Sequence, residues 1–298
     1  MVLSSACNSR AVVVHSALPA TLTAEVDRPL RAAGVEHVAH GDGHPIEAAE
    51  AAAGDARSIA VVGPYRSAHV AEAVEVTAAV GLPLLAPVAT WAGVTRDDEP
   101  GCDDPARHRG TVLCLIARDT EVARRLAIDV RVAGRRAYVV AGKHRYGRQL
   151  EGQLRLAGLP RAERPIEADV LVLCGLAGEP GIERAAALAS LPLIAFDGVQ
   201  GAELGDGAFD VRLVLPTAPV EGVAEADLMA GVCQARRGAD MIVAGLDAGA
   251  HDRASLLAAM RALGPFDEHG DPVDPPVWLW RADTDWRLTP DRPLAGAD

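Results

Sequence analysis

Lysine is almost missing from this 298-residue sequence: of 29 basic residues only Lys143 is a lysine. With abundant alanine, that reflects the base composition of a gene and excludes no chemistry. Long apolar runs are missing too. None approaches the roughly 18 residues of a membrane span, and the longest candidate, Ala185 to Phe196, is broken by Pro192. Positive charge is in deficit, with a net charge of −12 and a pI near 5.2. A phosphate backbone or an anionic membrane surface is repelled by such a chain, which argues against a nucleic-acid partner. The five cysteines show no CxxC pair and no zinc spacing. Cys114 and Cys174 lie inside apolar runs and read as small core residues, while one pair, Cys102 with Cys114, stays open as a disulfide. Catalytic signatures are lacking as well. There is no GxSxG elbow, no HExxH and no GxGxxG fingerprint, and Tyr146 and Lys143 stand in the wrong order for a dehydrogenase pair. The sequence reads as a non-enzyme without a cofactor.

What is present is length and rhythm. A chain of 298 residues exceeds one ordinary core and fits two lobes. Apolar runs of strand length alternate with helical stretches: Ala11 to Ser16, Val35 to Ala39, Ser58 to Gly63, Leu84 and Leu85, Thr111 to Ala117, Ala137 to Ala141, Val170 to Cys174 and Leu193 to Phe196. Pro29 is expected to kink or divide the first helix. Two successive sets of strand and helix units with fully apolar strands predict two α/β lobes, each a doubly wound parallel sheet covered by helices. Ligands of open parallel sheets sit beyond the carboxyl ends of the strands, so the loops there matter most.

One such loop is Val61-Val62-Gly63-Pro64-Tyr65-Arg66-Ser67-Ala68. It is followed in register by Gly81-Leu82-Pro83-Leu84-Leu85-Ala86-Pro87-Val88-Ala89-Thr90, by Tyr146-Gly147 after an apolar strand, and by Phe266 to Asp271 with Val277 to Trp280 near the end. Their order and spacing across residues 58 to 282 resemble the type I periplasmic binding proteins, and within them the branched-chain amino-acid-binding group that serves ABC transporters. The resemblance implies that the chain crosses between lobes near 116–119, 215–220 and 271–276. It implies a first lobe of residues 1–117 plus 219–272 and a second of 118–218 plus 273–298. It places Ser67, Val88 and Thr90 on the first wall, meeting a ligand carboxylate and amino group, with Tyr146 and Asp197 to Gln200 on the second. The family's glutamate for the ammonium is absent; Gln200 is the best-aligned position and Asp197 the substitute. The glycine-rich segment and aromatic expected between Ser16 and Leu22 are absent too.

The residues also read on their own. Ser67 at a helix start offers a hydroxyl beside unpaired backbone N–H groups and the positive dipole end, a setting that favours a carboxylate; a helix cap is the plainer role. Arg66 has the geometry to clamp a carboxylate at two points, or to lie in solvent. Trp91 walls the pocket or covers the lobe edge, and Tyr146 walls it or packs at a helix start. His37, His40 and His44 invite a metal, but on a strand His37 and His40 face opposite sides and no further ligand completes a site. The carboxylates of 97–104 fit no calcium loop. Gly178 to Gly181 is a turn and helix start rather than a phosphate loop. Met1 to Asn8 resembles the tail of a lipoprotein signal, with a lipid anchor at Cys7, although the apolar stretch that should precede it is absent. The sequence therefore supports an extracytoplasmic solute-binding protein presenting its ligand to a transporter permease, with a cytoplasmic ligand sensor of the same fold as the alternative.

Overall fold

The computed structural model describes residues 12–95, 110–187, 190–200, 202, 210–221, 231–283 and 285–295. Cys7, Cys102 and the acidic run 97–104 lie outside them. The first half builds β1 (Val13–Ser16), α1 (Ala20–Ala32), β2 (Glu36–Ala39), α2 (Pro45–Gly54), β3 (Ser58–Val62), α3 (Ser67–Ala79), β4 (Leu84–Ala86) and β5 (Val112–Cys114). Its five strands pair in parallel in the order β2-β1-β3-β4-β5. Every residue of β1, β3, β4 and β5 is buried, which is why these strands read as unbroken apolar runs rather than alternating ones.

Helix α1 passes through Pro29 without being divided. Its buried residues Leu22, Val26 and Leu30 keep one face in register against the first core. Glu25, whose carbonyl loses its donor to the proline ring, is only half-buried, so the freed group stays within reach of water.

The second half builds α4 (Asp119–Val132), β6 (Ala137–Ala141), α5 (Arg145–Leu156), β7 (Val170–Cys174), α6 (Pro180–Ala187), β8 (Leu193–Phe196) and β9 (Val211–Leu215). Helices α7 (Val232–Asp247) and α8 (Arg253–Leu263) then return to the first sheet, where Ala235, Ala239, Ile242, Leu256 and Met260 share a core with β1 and β3. The chain closes with β10 (Trp278–Ala282) and β11 (Leu288–Pro293) on the second sheet, whose six strands run β11-β10-β9-β8-β7-β6. Pairing is parallel from β6 to β9, but β10 is antiparallel to both β9 and β11. A purely parallel second sheet was expected; a two-strand return through a tight turn permits only the antiparallel arrangement. The Asp283 carboxylate holds that turn by accepting the Asp285 and Arg287 N–H groups, each at 2.9 Å. Among the described residues no helix is long and apolar enough to cross a membrane.

Cys114 and Cys174 are free and buried, and desolvation pushes the Cys114 thiol up to about 12 and the Cys174 thiol well up; Cys114 forms no disulfide here. On β1, alternate side chains carry two separate polar chains. Ser16 Oγ meets His37 Nε2 at 2.8 Å, and His37 Nδ1 meets Asp27 at 2.9 Å. His15 Nδ1 meets His40 Nε2 at 2.9 Å on the opposite face, with the rings stacked. The first chain has the order of a catalytic relay, but Ser16 is fully buried and lines none of the cavities described below, so it pins β1 to β2 and α1.

Arg253 ties the returning helices to the first lobe. Its guanidinium donates to the carbonyls of Ser58 (2.9 Å), Val80 (3.2 Å), Asp55 (3.2 Å) and Ala52 (3.5 Å), the last three at the carboxyl ends of α2 and α3. A cation there satisfies orphan carbonyls and opposes the negative dipole ends. Replacing Arg253 with methionine is expected to cost about 2 kcal/mol in urea unfolding; a loss under about 0.5 kcal/mol would remove it as a tie. Burial, with the His40 ring beside it, lowers the His15 pKa to about 4. Unfolding lets His15 bind a proton between that value and 6.5, so stability falls as pH drops through that window. The His15→Asn variant should show a shallower loss between pH 6.5 and 4 in the same assay.

Candidate functional site

The first wall begins where β3 ends. Gly63 has φ +102°, and a Cβ there would stand 2.7 Å from the Ala17 carbonyl oxygen, so only glycine makes this turn. The turn delivers Ser67 as the first residue of α3, with Arg66 at the cap position making no side-chain cap bond. Ser67 is therefore not a cap. Its Oγ accepts the Trp91 backbone N–H at 3.3 Å, which leaves the hydroxyl hydrogen to donate elsewhere. Thr90 follows β4 and is held from behind by Arg118, a buried guanidinium that donates to the carbonyls on either side of it, Ala89 (2.9 Å) and Trp91 (3.2 Å). Arg118 also pairs with buried Asp271 at 2.6 Å, donates to Thr95 Oγ1 at 2.9 Å and touches Cys114 Sγ.

The second wall begins at α5. His144 caps it by accepting the Tyr146 N–H at 3.4 Å, so the helix starts three residues earlier than its apolar pattern indicates. The Tyr146 hydroxyl donates to Asp197 Oδ1 at 2.7 Å, and the Gly198 N–H donates to the same oxygen at 2.8 Å. Gly198 is tightly enclosed: a Cβ would meet the Gly175 carbonyl at 2.6 Å and Tyr146 Cε1 at 2.9 Å. Between the walls lies a cavity of ≈ 450 Å³. Arg66, Ser67, Val88 and Thr90 line it from one side, and Tyr146 and Asp197 from the other. Arg66 is mostly exposed and stands 3.8 Å from Asp42. No residue of the short loop after β1 lines the cavity; half-buried Tyr65 does.

A second cavity of ≈ 510 Å³ adjoins it, sharing Ser67, Ala68, Thr90, His144 and Tyr146. Trp91 lines this one, and the Arg145 guanidinium sits 5.4 Å from the centre of its ring, a cation–π pair across the cleft. Asp119 also lines it, at the first position of α4, donating its N–H to the Thr90 carbonyl at 2.9 Å. Burial, reinforced by the Asp197 carboxylate, pushes the Asp119 carboxyl up to about 7. The same causes, burial first and then Asp197 and Asp119, push the Tyr146 phenol well up, so it stays a donor. With the Asp119 carboxyl and the Tyr146 phenol both holding their protons, Asp197 is the carboxylate that attracts a cation to this corner.

Gln200 lines neither cavity. Residues Asp197–Val199 form a 3-10 turn closed by the Gln200 N–H on the Asp197 carbonyl, which presents Asp197 to the cleft and carries Gln200 past it. Among the described residues no group of three or more His, Cys, Asp or Glu converges as metal ligands. At Gly178 to Gly181 the nearby Glu179 carboxylate accepts the Leu176 (2.9 Å) and His144 (3.1 Å) N–H groups, occupying donors an anion would need. Sequence reasoning missed Asp119, Ile116, Leu176, Leu215 to Thr217 and Gln234. Asp119 looks like any acidic residue opening a helix, and the others lie in segments that carry no motif.

Asp119 has a definite consequence for stability. The folded protein retains its proton between the ordinary carboxyl range and about 7, whereas the unfolded chain does not, so stability from this group is present in acid and lost as pH rises through 7. Asparagine keeps the neutral form at every pH. The Asp119→Asn variant is expected to gain on the native protein in urea midpoint between pH 5 and pH 8; a constant difference would mean an ordinary carboxylate.

No family model and no curated protein sequence matches the chain. Solved structures do. An ABC transporter substrate-binding protein from Desulfitobacterium hafniense, in complex with Leu, aligns with TM-score 0.73 and 18% identity over 94% of this chain and 99% of that one. A leucine binding protein from Thermotoga maritima aligns with TM-score 0.71 and 15% identity over 95% and 98%. A solute binding protein from R. palustris, in complex with benzoate, aligns with TM-score 0.68 and 16% identity over 96% of each chain. A type 1 periplasmic binding protein from Bordetella pertussis aligns with TM-score 0.67 and 14% identity over 94% and 99%. Likeness at such identities speaks to architecture, and this chain has the two-lobed fold of the type I periplasmic binding proteins.

Proposed function

We propose that the protein is a non-enzymatic solute-binding protein that encloses a small, amino-acid-like metabolite between its lobes and presents it to an ABC transporter permease. One observation carries the reading. Ser67 and Thr90 on one wall face Tyr146 and Asp197 on the other across a single cavity, with a helix start on the first side and a carboxylate on the second. The ligand carboxylate meets the first-turn N–H groups of α3 and the Ser67 hydroxyl. The ligand ammonium meets the Asp197 carboxylate. Leu and benzoate, held by the structural neighbours, are both small carboxylates.

In this reading the lobes are residues 1–117 plus 219–272 and 118–218 plus 273–298, and they close as bodies about three crossings. Closure is driven by contacts that exist only when both walls touch one ligand. The Arg145 and Trp91 pair then latches the mouth of the cleft.

A thermal-shift screen of L-amino acids and simple carboxylates tests it. A ligand at 100 times its dissociation constant stabilises by about 2.7 kcal/mol. Ser67→Ala and Thr90→Ala should each weaken a hit by about tenfold. Asp197→Asn should weaken amino acids and spare benzoate. Unchanged affinity in both hydroxyl variants would place the site elsewhere.

A further inference from the structure

The first cavity is lined by a side-chain amide that the reading above does not use. Gly231, left-handed at φ +79°, opens α7 hard against the cavity wall, and a Cβ there would stand 2.3 Å from Val88 Cγ1. That approach brings Gln234, three residues on, into the lining. Its Oε1 is buried and, among the described residues, has no hydrogen-bond partner. Apolar Val88, Ile116, Leu215 and Pro216 also line this cavity, with Thr217 beside them.

A buried acceptor without a partner is costly in a core, and such groups are nearly always satisfied there. In a ligand cavity the partner arrives with the ligand. A branched hydrocarbon would seal the acceptor off unsatisfied. A second ammonium would need a countercharge, and among the described residues the one carboxylate lining this cavity, Asp197, is given to the first ammonium in the reading above. A neutral donor fits both constraints.

We propose that Gln234 sets ligand choice: the cavity takes an amino-acid-like ligand whose side chain ends in a neutral hydrogen-bond donor, a carboxamide or a hydroxyl, and discriminates against a plain hydrocarbon end. This deepens the function proposed above and rests on it. The amide acts as a specificity-determining residue at the far end of the ligand, while the hydroxyl and carboxyl groups of the two walls hold the near end.

Four probes separate the two ideas. L-asparagine and L-leucine are near-isosteric and differ at the distal end; succinamate and 4-methylpentanoate repeat that pair without the amino group. Dissociation constants are measured by calorimetry for the native protein and for Gln234→Leu. The native protein is expected to favour L-asparagine over L-leucine at least about tenfold, and Gln234→Leu to reverse the order. Equal ratios in the two proteins overturn the role of Gln234 and leave the solute-binding reading intact. Binding of only the pair without an amino group overturns the ammonium seat, and the succinamate to 4-methylpentanoate ratio then decides Gln234. Binding of none of the four at millimolar concentration overturns both. The unliganded Gln234→Leu protein is expected to melt higher than the native one, because it loses an unsatisfied acceptor. A lower melting temperature shows that the amide is held within the protein and overturns the assignment whatever the binding data.

Discussion

A single buried guanidinium organises the region on which the site depends. Arg118 lies where the chain leaves β5 for α4, and burying its charge is tolerable only because Asp271, Thr95, two backbone carbonyls and the Cys114 sulfur surround it. Two of those partners, the Ala89 and Trp91 carbonyls, flank Thr90. The wall residue therefore inherits its position from a charge that cannot move without losing several bonds at once. Asp271 comes from the stretch that leads the chain toward β10, so two separate passages of chain meet at the same side chain.

The electrostatics of the cleft follow a division of labour. The start of α3 contributes positive potential without a fixed cation, since Arg66 extends to solvent near Asp42. The opposite side contributes the Asp197 carboxylate beside the Tyr146 phenol, and burial with that carboxylate pushes the Asp119 carboxyl up. A zwitterion matches such a field with one end at each wall. A protein of net charge −12 attracts anions poorly at long range, so the helix start has to act at close quarters.

Much of the fold was legible because the buried strands are uninterrupted apolar runs punctuated by glycine, and that pattern has few other solutions. Whether Pro29 divides α1 was not legible, because the apolar face of α1 outweighs one lost hydrogen bond and the strength of a face is a tertiary quantity. The antiparallel β10 and β11 escaped because strand direction depends on where the chain re-enters a sheet, which periodicity does not encode. In the site, Ser67 and Thr90 were named through the resemblance, and Ser67 also through its place at a helix start. Asp197 could be separated from Gln200 only after the intervening 3-10 turn was seen. Asp119 and Gln234 left no trace in the sequence, because their significance lies in what is absent around them: water for one, a partner for the other.

The four carbonyls gathered by Arg253 also impose an order of assembly. They belong to the ends of α2 and α3 and to β3, all made early, yet the side chain that gathers them is emitted from the ribosome some two hundred positions later. Between the two events the strands β6 to β9 emerge with local helices to cover them, and neighbouring partners are quicker to pair than distant ones. The lobe that begins the chain thus waits for a late segment before it is complete, and the nascent protein spends that interval with the ends of α2 and α3 uncapped.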